Sequence, residues 1–421
     1  MKGKASIHTE RAIEKGLGFS DGVIDETDIG SLGWNLLQEN LSLPAAVLYE
    51  DRLKQNLDWM QRFVNAYGVK LAPHGKTTMA PKLFEMQLKG GAWGITLATA
   101  QQTQVAYAHG VRRVLMANQL IGKENMAIIS RLLEDLEFEY YCLVDSAAQI
   151  DLVGAFYSER GQRLNVLVEV GVMGGRTGVR DEEQLNAVLT ALDRWNHALV
   201  LSGIEIYEGV LDDEARIRAF LERTVSVMRR LLAERRFRCA PVLFSGAGSA
   251  WYDVVAEVFS RASLRDSVEI VLRPGCYLTH DAGTYREAQA KIVQRNSVAS
   301  QMQAGLVPAL QIWAYVQSIP ERKIAIVGMG KRDASFDAGF PIPAQQYRPE
   351  DTAPRPAPSH WLLTRMMDQH AFMEIEGRDE IRVGDMVAFD ISHPCLTFDK
   401  WRALPVVDAQ FRVVDVVRTF F

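Results

Sequence analysis

The chain lacks the features that mark secreted and membrane-spanning proteins. Its four cysteines (Cys142, Cys239, Cys276 and Cys395) stand far apart with no paired spacing, which predicts free thiols in a reducing compartment. No apolar run approaches the length of a bilayer span, and residues 1–40 contain no apolar core of a signal peptide. A net charge of −5 argues against nucleic acid or an anionic membrane as a partner. We therefore expect a cytoplasmic location.

The region from about residue 70 to 275 alternates short apolar runs with helix-period segments. At 421 residues and 48% hydrophobic content, the chain is long enough for two domains. Strands that alternate with helices are typical of a parallel sheet, and a count of eight favours a TIM-like (β/α)₈ barrel over an open sheet. The predicted strands are Val69–Pro73, Gly94–Ala98, Arg113–Ala117, Tyr140–Val144, Val166–Val170, Gly203–Tyr207, Val242–Ser245 and Val268–Leu272.

After residue 290 the pattern changes to strands without long helices. The proline-rich stretch Pro341–Pro358 is typical of a surface loop. Residues Leu41–Glu50 predict a further strand that precedes a helix. We therefore predict a barrel over residues 50–285, and a mostly β domain formed by residues 1–49 together with 286–421. Its other predicted strands are Ile312–Ser318, Lys323–Val327, Ala371–Ile375 and Met386–Asp390.

Polar residues follow several of the barrel strands, at the end where such barrels carry their chemistry. His74 and Lys76 follow the first strand, and a lysine amine in this position can form a Schiff base if its surroundings lower its pKa. Taken locally, an ordinary surface lysine is the commoner interpretation. Arg176 follows the fifth strand among glycines that allow close approach of a ligand. It can bind a phenolate or carboxylate, or form a simple ion pair.

The segment FSGAGSAWY, residues 244–252, is a glycine-rich loop between a strand and a helix. Its backbone N–H groups, with the helix dipole behind them, form a cradle that suits a phosphate. Such loops are common in barrels, so the motif alone is weak.

His393 and Cys395 are separated by one residue in FDISHPCLTFDKW, residues 389–401. On an extended segment the side chains of residues i and i+2 point to the same face, so an imidazole and a thiolate can converge on one ion. Both are ligands that suit zinc, and two protein ligands leave positions open for water or substrate. A buried histidine beside a buried thiol is the alternative.

In this order the motifs resemble the fold-type III pyridoxal phosphate (PLP) enzymes of the D-serine dehydratase and D-threonine aldolase group, and more distantly the N-terminal barrel of alanine racemases. The resemblance covers about Leu43 to Arg402, and the pair His393 and Cys395 is its most discriminating part. GKRDASFDAGFP, residues 330–341, also resembles a stretch of bacterial proteins labelled amino acid deaminases. The matching segments are PHGKT (73–77), GGRTGV (174–179), GIEIYEG (203–209), SGAGS (245–249), RPGCYLTHD (273–281) and SHPCLTFDKW (392–401).

The resemblance implies a role for each site residue. Lys76 would hold PLP as a Schiff base and act on the substrate Cα proton, Arg176 would face the phenolic oxygen of the ring, and His74 and Tyr207 would line the cofactor pocket. His393 and Cys395 would bind Zn²⁺ near the substrate side chain. The phosphate would be held by Ser245, Gly246, Gly248, Ser249 and Tyr277.

The resemblance further implies a homodimer that converts a D-3-hydroxy amino acid, such as D-serine or D-threonine, to a 2-keto acid and ammonia. A metal-dependent aldolase of the D-threonine type is the alternative close in chemistry. A PLP-binding homeostasis protein without turnover is the alternative of another class, and the extra module that carries His393 and Cys395 argues against it. A barrel protein without PLP stays open as well.

Overall fold

The computed structural model describes residues 14–19, 26–264 and 267–421. Their contacts divide the chain into two compact units. We call Leu57–Tyr277 with Ala288–Gly305 the barrel unit, and Met1–Asn56 with Leu278–Glu287 and Leu306–Phe421 the β unit.

The strands and helices of the described residues are numbered in chain order. The strands are β1 (Ala45–Tyr49), β2 (Lys70–Leu71), β3 (Ile95–Leu97), β4 (Arg113–Gln119), β5 (Glu139–Val144), β6 (Leu164–Val170), β7 (Leu199–Ile206), β8 (Val242–Gly246), β9 (Val268–Leu272), β10 (Leu310–Glu321), β11 (Ile324–Val327), β12 (Ile342–Tyr347), β13 (Arg355–Pro356), β14 (Leu362–Met366), β15 (Ala371–Glu374), β16 (Met386–Asp390), β17 (Ala403–Val407) and β18 (Val413–Arg418). The helices are α1 (Glu50–Tyr67), α2 (Pro81–Lys89), α3 (Ala100–Ala108), α4 (Lys123–Leu132), α5 (Ala147–Glu159), α6 (Glu182–Arg194), α7 (Glu214–Ala233), α8 (Tyr252–Arg261), α9 (Thr284–Arg295), α10 (Ser297–Gln301) and α11 (Pro394–Phe398).

The barrel unit contains an eight-stranded parallel sheet in the order β2-β9-β8-β7-β6-β5-β4-β3. The two ends of this order are joined as well, because Trp93 donates its backbone N–H to Leu71 O at 2.7 Å and Thr96 donates to Pro73 O at 2.9 Å. The predicted alanine racemase-like (β/α)₈ barrel is confirmed, and each predicted strand overlaps one of β2 to β9.

Four of the barrel helices, α3, α5, α6 and α7, begin at a capping side chain. Thr99, Ser146, Asp181 and Asp213 each accept a hydrogen bond from the backbone N–H three residues later, at the starts of α3, α5, α6 and α7. These caps satisfy N–H groups that have no partner inside the helix.

The observed units differ from the predicted domains at their boundaries. Residues 288–305 belong to the barrel unit, although we placed them in the β domain. The reason is a set of side-chain contacts: Gln289 accepts from Tyr252 Oη at 2.6 Å, and Arg295 donates to the Asp253 carboxylate at 2.7 and 2.8 Å. The start of the barrel unit at Leu57 falls inside α1, not at residue 50.

The β unit contains a mixed sheet in the order β13-β12-β16-β10-β1-β17-β18, which β11, β15 and β14 continue from β10. The β1–β17 pair is parallel, and the other pairs of this unit are antiparallel. Its core includes Tyr49, Trp313 and Met386, all at most 4% exposed. The predicted mostly β second domain is confirmed.

One local prediction for this unit is wrong. The proline-rich stretch Pro341–Pro358 is not only a loop, because it contains β12 and β13. Pro343 lies beside a register shift in the β12–β16 pair, and Pro356 lies in the two-residue edge strand β13. These are positions where the missing N–H of proline costs no ladder hydrogen bond. Among the described residues, no helix is long and apolar enough to cross a membrane.

Gly203 provides a test of how tightly the barrel strands pack. A Cβ atom at Gly203 in β7 would lie 2.0 Å from the carbonyl oxygen of Leu243 in β8. We expect Gly203→Ala to lower the free energy of unfolding by about 1–3 kcal/mol, because the backbone must shift to relieve the overlap. Gly305→Ala is the matched control, since a Cβ there meets no atom within 4 Å. Equal urea midpoints for the two variants would contradict the expectation.

Candidate functional site

Lys76 lies at the carboxyl end of β2, on a single 3-10 turn formed by Gly75–Thr77. Lys76 is exposed, while its neighbours Gly75 and Thr77 are buried. A Cβ at Gly75 would lie 2.8 Å from both Phe84 and Ile95. Glycine at this position therefore lets the turn pack onto the barrel core, and this fixes the point from which the amine of Lys76 projects.

His74 lies among three cationic side chains. Burial lowers the pKa of His74 well below its usual range, and the charges of Lys76, Arg273 and Arg176 lower it further. These residues follow β2, β6 and β9, so the structure brings the carboxyl ends of three strands together around one imidazole. His74 Nδ1 is buried and has no hydrogen-bond partner among the described residues. The imidazole is thus held neutral in a positively charged environment.

Arg176 projects from a loop that is fastened by a second arginine. The guanidinium of Arg180 donates to the carbonyl oxygens of Gly175, Arg176, Thr177 and Gly178. The shape of the loop is therefore set by Arg180. No sequence motif named above includes this residue.

The guanidinium carbon of Arg176 lies 4.6 Å from the centre of the Tyr207 ring, which is a cation–π contact. Burial raises the pKa of Tyr207, and the nearby carboxyl of Glu208 adds to the effect. The two residues were predicted to share a pocket, and the structure places them together.

The glycine-rich loop is already bound to a carboxyl side chain. Ala247 N donates to Glu208 Oε2 at 3.1 Å, and Gly248 N donates to Glu208 Oε1 at 2.6 Å. Glu208 is fully buried, and burial raises the pKa of its carboxyl. Two backbone donors of the predicted phosphate cradle are therefore used by this carboxyl group.

The other predicted phosphate ligands differ in what their side chains do. The Ser245 hydroxyl is buried and donates to Val271 O at 3.1 Å, so it is turned into the sheet. Ser249 Oγ accepts from Cys276 N at 3.2 Å. Tyr277 is buried, accepts from Gln87 Nε2 at 3.1 Å and has its pKa raised by burial.

A buried ion pair lies beneath these loops. Arg273 pairs with Glu205, and the same guanidinium donates to Ile206 O at 2.9 Å. Burial raises the pKa of Glu205 to about 8 against the opposing charge of Arg273. The motif GIEIYEG carried the signal for Glu205 and Glu208, because two carboxyls in an otherwise apolar strand region require partners. The partners are distant in sequence and could not be named from it.

In the β unit, we predicted that His393 and Cys395 lie on an extended segment, and this prediction is wrong. Pro394 starts the short helix α11 and His393 is its N-cap, because proline fits the first position of a helix. The two side chains nevertheless converge: a hydrogen bond with Cys395 raises the pKa of His393 to about 9, and the bond to Asp337 adds to it. His393 Nδ1 lies 2.8 Å from Asp337 Oδ2.

Asp281 and His280 belong to the same unit. Asp281 Oδ1 accepts from the backbone N–H groups of Gly283 and Tyr285, while Oδ2 is buried without a partner among the described residues. Burial raises the pKa of Asp281, against the opposing effects of these backbone hydrogen bonds and of the charge of His393. Burial lowers the pKa of His280 to about 4, and the charge of Arg286 contributes.

Two protein families match the chain. Residues 49–278 match the family described as "Alanine racemase, N-terminal domain", and residues 309–407 match "Putative serine dehydratase domain". The first match covers more than half of the chain, and the chain belongs to this family. With both domains in this order, it is a member of the fold-type III PLP enzymes of the D-serine dehydratase-like group.

Curated relatives carry enzyme names. The chain is 24% identical over 377 residues to a D-threonine aldolase of Arthrobacter sp, and the alignment covers 86% of this chain and 88% of that protein. It is 29% identical over 188 residues to the D-threo-3-hydroxyaspartate dehydratase of Delftia sp. (strain HT23), and this alignment covers 44% of this chain and 48% of that protein. Both relatives are lyases, and this chain is a PLP-dependent lyase.

Solved structures share the fold. A D-threonine aldolase from Filomicrobium marinum superposes with a TM-score of 0.75 at 21% identity, covering 92% of this chain and 97% of that one. The Delftia dehydratase gives a TM-score of 0.72 at 24% identity, covering 92% and 99%. Variants of a D-threo-3-hydroxyaspartate dehydratase have also been solved, with a histidine or a cysteine two positions later replaced by alanine, the cysteine variant in a metal-free form.

The Glu208 carboxylate is open to a direct test. We expect Glu208→Gln to cost about 1–3 kcal/mol of stability at pH 8, because the amide NH₂ would face an N–H donor that then lacks an acceptor. The amides of Ala247 and Gly248 should exchange faster with deuterium. Glu222→Gln, on an exposed position of α7, is the control. Unchanged exchange at both amides would show that the carboxylate does not hold the loop.

His280 predicts a pH dependence of stability. Its pKa is about 4 in the folded chain against 6.5 for the ordinary residue, so folding disfavours its protonation. The stabilisation is complete above pH 6.5 and is lost as the pH falls towards 4, by up to about 3 kcal/mol. His280→Asn should reduce the dependence of the melting temperature on pH between 6.5 and 4, because asparagine does not titrate. Asparagine also tolerates the left-handed φ of 49° at this position. The exposed His370→Asn should leave the wild-type slope unchanged.

Proposed function

We propose that the chain is a PLP- and zinc-dependent dehydratase that converts a D-3-hydroxy amino acid, such as D-serine or D-threonine, to a 2-keto acid and ammonia. The observation that carries the proposal is the hydrogen-bonded pair of His393 and Cys395, with Asp337 on the imidazole. The D configuration of the substrate rests on the names of the relatives.

The barrel residues fit PLP by their charge. Burial lowers the pKa of His74, and the charges of Lys76, Arg273 and Arg176 lower it further. Three cations thus lie near an imidazole whose buried Nδ1 has no hydrogen-bond partner among the described residues. A cofactor with a phosphate and a phenolate complements such a group. When bound, PLP supplies an electron sink that acidifies the substrate Cα–H bond. The amine of Lys76 would hold the cofactor and accept the Cα proton, and Arg176 would bind the phenolic oxygen.

Tyr207 would form one wall of the cofactor pocket, where its contact with Arg176 orients the ring. The phosphate would lie against the N–H groups of the glycine-rich loop that Glu208 does not use, next to Ser249. The Ser245 hydroxyl is turned into the sheet, so its side chain would not bind the phosphate.

The donors in the β unit fit zinc by their chemistry. An imidazole nitrogen and a thiol sulfur are the ligand types that zinc prefers, and they already hydrogen-bond to each other. When bound, the metal supplies a Lewis acid that helps a β-hydroxyl group to leave. The same spacing of histidine and cysteine in the variants of the dehydratase named above supports this assignment. His393 and Cys395 would hold the ion and leave positions open for oxygen ligands.

We include in this proposal a homodimer and a cytoplasmic location, both of which rest on the resemblance and on the composition of the chain. An aldolase is the second candidate, because the aldolase relative from Arthrobacter aligns over most of this chain. In that reaction the Cα–Cβ bond breaks instead of the Cβ–O bond.

Product analysis tests the proposal. The purified protein, supplied with PLP and Zn²⁺, should release ammonia and a keto acid from D-serine, D-threonine or a D-3-hydroxyaspartate. Lys76→Ala should lose at least about 10²–10⁴-fold in rate and the visible absorbance that borohydride abolishes, because both the cofactor linkage and the proton acceptor are removed. Lys89→Ala is the control, since this lysine pairs with Glu85 on the exposed side of α2.

Three other outcomes would contradict the proposal. Glycine and an aldehyde as products would identify the aldolase reaction. Bound PLP without turnover of any of these amino acids would indicate a PLP-binding protein. A protein that stays colourless after PLP is supplied would overturn the cofactor assignment.

A further inference from the structure

The segment Gly330–Pro341, which we call the 330–341 loop, contacts the chain around His393 along its length. Ser392 Oγ donates to Gly339 O at 2.6 Å, and Trp401 Nε1 donates to Asp333 O at 2.8 Å. These bonds anchor the loop at both ends of the segment that carries His393 and Cys395. The loop therefore has a fixed place beside this segment within the β unit.

Ser335 forms the middle of this contact. Its Oγ accepts from the backbone N–H of His393 at 3.2 Å and from Thr397 Oγ1 at 3.1 Å, and its own N–H donates to Thr397 Oγ1 at 3.2 Å. Ser335 and Thr397 are buried. The backbone of His393 is thus held by the same loop that contacts its side chain.

Asp337 makes the side-chain contact. Its Oδ2 lies 2.8 Å from His393 Nδ1, with 43% of the Asp337 side chain and 30% of the His393 side chain exposed. A carboxylate can only accept, so the proton of the hydrogen bond lies on Nδ1. The lone pair of a neutral imidazole is then on Nε2. Surface ion pairs of this exposure contribute little to stability, so stability alone gives no reason for the arrangement.

We propose that Asp337 is a positioning residue for a metal ion: it fixes His393 as the tautomer that presents Nε2, and it fixes the plane of the ring so that Nε2 and Cys395 Sγ face the same cation. This inference rests on the metal site of the proposed function and extends it to the 330–341 loop. A carboxylate behind a ligating histidine has this effect in metal sites generally, where its loss weakens metal binding by about 10–100-fold.

A second histidine–aspartate contact in the described part of the β unit has a different arrangement. His360 presents Nε2, not Nδ1, to Asp379 at 2.8 Å, and the same carboxylate accepts from Trp361 Nε1 and from Glu376 N. That carboxylate fastens a turn. The Asp337 carboxylate is joined to an imidazole that lies beside a thiol.

The test is the affinity for Zn²⁺, measured by calorimetric titration of the metal-free, PLP-loaded protein. We expect Asp337→Ala to weaken Zn²⁺ binding by about 10–100-fold. Asp337→Asn keeps an oxygen acceptor for the Nδ1–H and should recover part of the loss, which a merely structural role would not predict. Asp368→Asn is the control, because this exposed carboxylate pairs with Arg332 of the same loop at 3.8 Å. It should bind Zn²⁺ like the wild type.

His393→Ala and Cys395→Ala distinguish a failure of the metal site itself from a failure of the role of Asp337. If both bind Zn²⁺ as tightly as the wild type, the metal site of the proposed function fails, and this inference fails with it. If both lose Zn²⁺ while Asp337→Ala binds it normally, the inference alone is overturned. An equal loss in Asp337→Ala and Asp368→Asn would also overturn it, since the effect would then come from the loop as a whole.

Discussion

The chemistry of the barrel unit depends on the buried ion pair between Arg273 and Glu205. The side chains are 4% and 0% exposed, so both groups are buried, and loss of either partner would leave an isolated buried charge. The influence of Arg273 extends beyond its partner. Burial lowers the pKa of His74 and the charge of Arg273 adds to this effect, whereas burial raises the pKa of Tyr207 and Glu208 and the same charge opposes that rise. One guanidinium thus joins β7 to β9 and sets the charge environment of the strand ends.

The barrel was predictable from sequence because of how parallel strands are buried. A strand covered by helices and by the barrel interior is apolar on both faces, and every residue of β7 and β8 is buried. The β unit gave a weaker signal. Five of its described strands were missed. Of these, β12, β13 and β14 are only partly buried or are exposed, and two of them contain a proline. Their pairing with distant strands decides their conformation, and local propensity does not show it.

The candidate site was predictable as a set of positions but not as a set of contacts. Lys76, Arg176 and Tyr207 could be chosen because they follow strands. The role of Glu208 could not, because its partners lie about forty positions further along the chain and are backbone N–H groups without a residue signature. The pair His393 and Cys395 was identified by spacing although the assumed backbone was wrong, since both an extended strand and the first turn at Pro394 allow the side chains to meet.

The loop fastened by Arg180 has a consequence for the kinetics of ligand capture. Four consecutive carbonyl groups, from Gly175 to Gly178, are bound to one guanidinium before any ligand arrives. The conformational entropy of this segment is therefore lost when the chain folds, so a ligand that bound to Arg176 would require no ordering step of the loop. A loop of this kind accepts a ligand at a rate set by diffusion and charge, and it discriminates by shape, because it does not reshape itself around a poor fit.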